Sequence, residues 1–384
     1  MASPAPLSLA IFCKVVDNYG DIGICWRLAR QLQAEHGVAV TLWVDDLASF
    51  RRICPAVDLA LDSQLVENVA VRHWRGQDDA YLPDEVADIV IEFFACDIPP
   101  LYIEAMARRT PRPVWLNLEG LTAEEWVEGC HTLPSMHPRL KLTKHFFFPG
   151  FTGKTGGLLR EAGLAQARLA FLAHGQHKRA FLHGLGLPDA EIDAFTVSLF
   201  CYPQAPVPGL FAAWQGGSEQ ITCLVPEGVA AQAVADFLGA DARAGAVATR
   251  GALTVRVLPF VPQPDYDRLL WACDLNFVRG EDSWVRAQWA GKPFVWHIYP
   301  QDEQLHHKKL RAFLERYVPA IDSLRHFMLH WNEALPEAPD WPALWSALRA
   351  DQAPIEARAD LWQAEMSNNG DLASNLLGFA ASLR

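Results

Sequence analysis

Residues 7–23 read LSLAIF-CKVVDNYGDIG: a short apolar run, then a polar loop punctuated by Gly20 and Gly23. A run of this length bounded by turn residues reads as a buried strand. The next stretch, 22–36, carries Trp26, Leu28 and Leu32 at helical spacing. Strand, Gly-bearing loop and helix together open a βαβ unit. Further apolar, β-rich runs follow at 38–44 (VAVTLWV), 89–94 and 113–118. Their alternation with helical stretches predicts an α/β fold with a parallel, Rossmann-like sheet in the N-terminal half.

From about residue 195 the pattern restarts. Residues 196–201, 220–225, 254–260, 275–279 and 294–297 read as strands, and 265–273 and 283–290 are the clearest helices among them. The stretch 150–190 ends the first domain and crosses to the second. Beyond 300 the chain reads as helical, broken at Pro336, Pro339, Pro342 and Pro354. The expected domains are therefore 1–184 and 185–354, with 355–384 returning to pack on the first. Two such domains facing across a cleft place ligands at the carboxyl ends of their strands.

Composition narrows the function. The 384 residues suffice for two ordinary cores at about 150 residues each. Lys plus Arg number 33 against 45 Asp plus Glu, a net charge of −12, which disfavours holding nucleic acid by phosphate neutralisation. An anionic ligand must instead meet a local set of donors. The eight cysteines form no CxxC pair and read as reduced core thiols rather than zinc ligands. The first residues lack the basic start of a signal peptide. No run of about eighteen apolar residues is present to span a membrane. A cytoplasmic protein is expected.

Three loops carry candidate chemistry. Asp17 and Asp21 lie four residues apart in the Gly-bearing loop around Tyr19 and Gly20. The dinucleotide fingerprint is absent there, and two carboxylates suit a basic or hydroxylic group. Asp21 equally suits a helix cap, and one residue can do both. Arg279-Gly280-Glu281-Asp282-Ser283 repeats the strand–loop–helix context in the second half. Its first helical amides, with Arg279, suit a diphosphate without metal, and its acidic residues suit ribose or sugar hydroxyls. An acidic first turn complementing the helix dipole accounts for Glu281 and Asp282 but not for Arg279-Gly280. Pro259-Phe260-Val261-Pro262-Gln263 offers an aromatic face and an amide to a nucleobase, or else a buried loop anchor. Its neighbour Asp265-Tyr266-Asp267 has the D-x-D spacing of metal-dependent sugar transfer, yet at a helix start it reads as capping.

Other patterns fail on spacing. Gly153-Lys154-Thr155 resembles the end of a phosphate loop, but the required first glycine falls on Phe148. His174 and His177 precede Lys178 and Arg179 and read as solvated surface. His306 and His307 are adjacent and point to different helix faces. No Gly-x-Ser-x-Gly elbow occurs.

Taken together, IFCKVVDNYGDIGICWRLAR, VDDL, IEFFACDIP, WLNLEGLTAEEW, FFFPGFTGKTGGLLRE and the long LPFVPQPDYDRLLWACDLNFVRGEDSWVRAQWAGKPFVWHIYPQDE block resemble the elongation factor P arginine rhamnosyltransferases of bacteria. The resemblance implies a GT-B fold, in which 1–184 binds the acceptor and 185–354 the nucleotide sugar. It also implies an inverting, metal-independent transfer that needs no cofactor. The donor is dTDP-β-L-rhamnose and the acceptor an arginine of elongation factor P; neither nucleic acid nor membrane is a partner.

The implied residues are Asp21 and Asp17 for catalysis; because a guanidinium arrives charged and must be oriented and deprotonated, Asp21 is expected as general base and Asp17 as its orienting partner. Tyr19 and Gly20 belong to that loop. Phe200 and Tyr202 lie after a second-domain strand, where Phe200-Cys201-Tyr202 departs from the family's F-G-Y wording. Phe260 and Gln263 match the positions at thymine, and Arg279, Gly280, Glu281, Asp282 and Ser283 those at ribose and diphosphate. The alternatives are a GT-B enzyme with another donor or acceptor, a nucleotide-sugar epimerase, and a non-catalytic module that binds the translation factor.

Overall fold

The computed structural model describes residues 6–17, 19–76, 81 and 85–384. The chain forms two compact α/β units, Met1–Ala162 with Met366–Arg384, and Gly163–Glu365. Each unit is built on one mostly parallel sheet with helices, the two-domain α/β class expected from the sequence. Among the described residues no helix is long and apolar enough to cross a membrane.

The first unit runs β1 (Ser8–Cys13), α1 (Tyr19–His36), β2 (Ala39–Val44), α2 (Leu47–Ile53), β3 (Ser63–Val66) and β4 (Val69–His73). It continues through β5 (Ile89–Phe93), α3 (Pro100–Arg108), β6 (Val114–Leu118), α4 (Val127–Cys130), β7 (Pro134–Met136) and β8 (Thr143–Phe147). The sheet order is β3-β4-β2-β1-β5-β6-β8-β7. Strands β5 and β6 are buried along their whole length. Helix-covered parallel strands need apolar side chains on both faces, which is why these runs were readable. The hairpins at the two edges were not. Their strands are short and partly polar, and β3–β4 turns through Glu67 and Asn68 at positive φ (47° and 64°), the conformation of a tight hairpin turn.

The second unit runs α5 (Leu164–Leu172), α6 (Gly175–Gly184), α7 (Asp189–Ile192), β9 (Phe195–Leu199), α8 (Val207–Gly216), β10 (Ile221–Pro226), α9 (Ala231–Leu238), β11 (Val247–Arg250) and β12 (Leu253–Leu258). Next come α10 (Gln263–Ala272), β13 (Leu275–Arg279), α11 (Asp282–Ala290), β14 (Phe294–His297), α12 (Leu305–Tyr317), α13 (Asp322–Trp331) and α14 (Trp341–Ala350). Helix α15 (Gln352–Ser367) carries the chain back to the first unit, which α16 (Leu372–Ser382) completes. The sheet order is β11-β12-β10-β9-β13-β14.

The units divide at 162/163 and 365/366, not at the expected 184/185 and 354/355. Packing explains the shift. Phe171 of α5 and Phe181 and Leu182 of α6 join Leu224, Leu258 and Leu269 in one apolar cluster. Both helices therefore belong to the second core. Near the far end of α15, Trp362 still donates its indole N–H to Gln288 at 2.8 Å. Only then does the chain return: Leu372 N–H donates to Leu158 O at 3.1 Å, and Gln31 reaches Asp371 at 3.1 Å.

Each sheet has one topological switch point, where successive strands depart to opposite sides. In the first unit it lies between β1 and β5, in the second between β9 and β13. Loops at the carboxyl ends of those strands are where such folds bind ligands.

Candidate active site

In the first unit the 14–17 loop follows β1, and Asp21 occupies the first turn of α1, only 4% exposed. Its Oδ2 accepts the amides of Val16 at 2.7 Å and Asp17 at 2.8 Å. Asp21 thus secures the loop before the helix from within the first turn of α1, taking amides upstream of the helix rather than capping its own. Burial pushes its carboxyl above the usual range and Asp45 adds to the rise, while the two amides pull it back. A group so tuned is a better proton acceptor near neutrality than a solvated aspartate.

Asp17 is half-buried, and its carbonyl accepts the Gly20 amide at 2.7 Å. A Cβ on Gly20 would stand 2.8 Å from Asp17 Oδ2, so a side chain there would push the Asp17 carboxylate aside. The Tyr19 hydroxyl accepts from Arg52 at 3.0 Å. Asn18 lies outside the described residues. On the neighbouring strand of the switch point, Phe94, Ala95 and Asp97 adopt positive φ after β5. Buried Asn117 accepts the Ala95 amide at 2.9 Å and buried Glu92 that of Asp97 at 3.2 Å.

In the second unit the residues after β9 meet Arg279 at the end of β13. The Arg279 guanidinium lies 4.5 Å from the Phe200 ring centre and 4.8 Å from that of Tyr202. It donates to Cys201 O at 3.2 Å. Both rings flanking Cys201 therefore lie against Arg279. Gly280 has φ 57°; its amide donates to His297 O at 3.2 Å and its carbonyl accepts Trp296 Nε1 at 2.8 Å. Trp296 in turn stacks on Trp284 at 3.6 Å, so the loop is tied to the core.

Ser283 Oγ accepts the Arg279 amide at 2.9 Å and donates to the Arg279 carbonyl. Its hydroxyl holds the loop, so the diphosphate reading falls to the backbone amides at this helix start. Glu281, the N-cap of α11, makes no side-chain capping bond. Phe260 is half-buried after β12, and Gln263 is buried at the start of α10. Phe200 touches Tyr266 of α10, ring centres 5.9 Å apart, which links that helix to the Phe200–Tyr202 loop.

The D-x-D pair proves to be two separate ion pairs, and neither aspartate is the N-cap, which is Pro262. Asp265 meets Arg268 at the surface at 2.9 Å. Asp267 holds buried Arg286 through both carboxylate oxygens, each bond 2.8 Å. Lys154 pairs with Glu128 at 3.0 Å, and His174 and His177 are exposed. Among the described residues no three His, Cys, Asp or Glu side chains gather as a metal site requires.

Two residues stand out that carried no role in the sequence reading. His297 is buried, and its Nδ1 accepts the Tyr202 amide at 3.2 Å. Burial first, then Arg279 and His306, lower its pKa to about 3, so it is a neutral imidazole. Asp45 Oδ1 accepts the Val15 amide at 2.8 Å. Both lie inside stretches that carried the family resemblance, HIYPQDE and VDDL, which was the available signal.

Residues 9–381 match the family of elongation factor P (EF-P) rhamnosyltransferases, EarP. The chain belongs to the EarP family. It is 49% identical over 375 residues to the protein-arginine rhamnosyltransferase of Pseudomonas putida KT2440, covering 96% of this chain and 97% of the relative. With the Pseudomonas aeruginosa PAO1 protein of the same name it shares 47% over 377 residues, 97% and 98% of the two chains. Among solved structures it resembles one described as the structural basis for EarP-mediated arginine glycosylation of translation elongation factor EF-P. There the TM-score is 0.66 and the identity 35%, over 98% of this chain and 99% of the other. The spinosyn rhamnosyltransferase SpnG, 11% identical with TM-score 0.52 over 97% and 100% of the chains, shares the fold. Membership of the EarP family makes the chain a glycosyltransferase.

Proposed function

We propose that this enzyme moves L-rhamnose from dTDP-β-L-rhamnose to one arginine side chain of translation elongation factor P, with inversion at the anomeric carbon. Family membership supports the reaction class. The observation that carries the reading to residues is the first-unit loop, where buried Asp21 is fixed by two loop amides with Asp17 beside it.

A guanidinium titrates at about 12.5–13.8, so it arrives charged, delocalised and poorly nucleophilic. Asp17 and Asp21 bind it through directed hydrogen bonds and aim one nitrogen at the anomeric carbon. The N–C bond forms as the C–O bond to diphosphate breaks, and the electron pair leaves with dTDP. Asp21 takes the proton. Even raised, its pKa lies far below that of the nitrogen, so proton transfer accompanies or follows bond formation. Arg279 and the first amides of α11, at Asp282 and Ser283, stabilise the charge growing on the diphosphate. Glu281 and Asp282 accept from ribose or sugar hydroxyls, Phe260 and Gln263 take the thymine, and Phe200 and Tyr202 complete the donor pocket around Arg279 and Gly280. The scheme assigns no step to a metal or cofactor. It places the reaction in the cytoplasm beside the translation factor, with no part for nucleic acid or membrane.

Incubating the protein with dTDP-rhamnose and elongation factor P tests the reading. One deoxyhexose on a single arginine, seen by peptide mass spectrometry, is the expected result. UDP-sugars offered in parallel settle donor class. Donor consumed without acceptor points instead to an epimerase, and binding without turnover to a non-catalytic module.

A further inference from the structure

We propose that Asp45 is a positioning residue for this transfer, holding the Val15 amide so that the 14–17 loop presents Asp17 beside Asp21. The inference rests on the function proposed above and extends it to a residue that has no part in that scheme.

The register of the sheet puts Asp45 in place. Strands β1 and β2 pair in parallel up to Cys13 opposite Val44, so Asp45 is level with the start of the loop. Its Oδ1 accepts the Val15 amide at 2.8 Å, and Asp21 takes the next two amides, Val16 and Asp17. Two carboxylates thus occupy three consecutive backbone N–H groups. Successive amides after the first strand of such a fold form a concavity suited to an anion such as phosphate. Here the chain's own carboxylates fill it. The loop's amides are thereby closed to an anion, and their fixed positions set where the Asp17 carboxylate stands.

Asp45 is well placed for this because its own backbone is anchored. Its carbonyl meets His73 Nε2 at 3.3 Å. The next residue, Asp46, caps α2 by accepting the Ala48 and Ser49 amides at 2.9 and 3.0 Å. Asp45 therefore transmits the position of β2 and α2 to the loop. Its charge also contributes to the raised pKa of Asp21.

The test is steady-state kinetics of the full chain with both substrates for Asp45→Ala, Asp45→Glu and Asp45→Asn. Misplacement of reacting groups by about 1 Å costs about 100-fold. The expectation is a kcat loss of about 10- to 100-fold for D45A and D45E, with KM for dTDP-rhamnose within about twofold of wild type. D45N retains an oxygen for the Val15 amide and should recover to within about fivefold of wild-type kcat. D45E keeps the comparison intact should D45A fail to fold. Wild-type kcat in D45A or D45E, or D45N no better than they are, overturns the inference. A wild-type chain that rhamnosylates nothing overturns the proposed function instead, so the two failures are distinct.

Discussion

Asp21 does two jobs with one carboxylate: it satisfies two loop amides and keeps a proton affinity above that of an ordinary aspartate. Asn in its place can still accept from both amides but cannot take a proton. Asp21→Asn should therefore lower kcat by about 100- to 10,000-fold while leaving the affinity for dTDP-rhamnose, read by calorimetry, unchanged. Near-normal turnover would remove Asp21 from the role of base. The proposed donor contacts can be tested apart from the chemistry. Phe260→Ala and Glu281→Ala should each weaken dTDP-rhamnose about tenfold, roughly 1.4 kcal/mol. Unaltered nucleotide affinity in both would relocate the donor site.

Helices α10 and α11 follow the loops after β12 and β13, and Asp267 and Arg286 tie the two helices together. Arg286 is 2% exposed, and its guanidinium is matched by a bidentate carboxylate, the geometry in which a desolvated pair holds best. Asp267→Ala leaves that charge buried without its partner, which should cost about 3–5 kcal/mol and lower Tm accordingly. Asp265→Ala removes a surface i,i+3 pair and should change stability by less than about 0.5 kcal/mol. Equal effects of the two substitutions would contradict the buried-pair account. The contrast also explains the D-x-D spelling as helix packing: two residues apart is about 200° around the helix, so the two side chains leave one turn toward different surroundings.

Acid sensitivity belongs to the whole molecule, because protons are counted over every group whose pKa changes on folding. His297 is held at about 3 in the fold against an ordinary 6.5. The unfolded chain takes that proton first, so stability is complete above about pH 6.5 and falls as pH drops toward 3. Asp88 works lower down. Hydrogen bonds from Ser8 and Arg109 outweigh its burial and hold it at about 2. Its stabilisation is present above about pH 4 and lost toward pH 2. Asp21, with a raised pKa, acts in the opposite sense over its own range. His297→Gln should therefore show a shallower fall in Tm between pH 6.5 and 4 than wild type. Parallel profiles would mean the imidazole is not held neutral by the fold.

Much of this was legible in the chain itself. The buried runs LSLAIF, VAVTLWV and FVWH announce parallel strands because a sheet covered on both faces tolerates little but apolar side chains. The loops after them were equally visible, since Asp17, Asp21, Arg279 and Gly280 sit at fixed places in a strand–loop–helix grammar. Edge hairpins escaped because β3, β7 and β11 are short, partly polar and stabilised by pairing rather than by burial. Local sequence also could not show that α5 and α6 join the second core, nor that Asp267 belongs to Arg286. Those outcomes depend on partners outside the local window, 19 residues on in the case of Asp267 and Arg286. For the same reason the placement of Asp45 and His297 came from the sheets alone: parallel register brings the end of β2 level with the first loop, and the end of β14 against Tyr202. Periodicity and spacing determine which segments are strands, helices and candidate loops, whereas the carboxylate that meets a given amide is settled only when distant strands align.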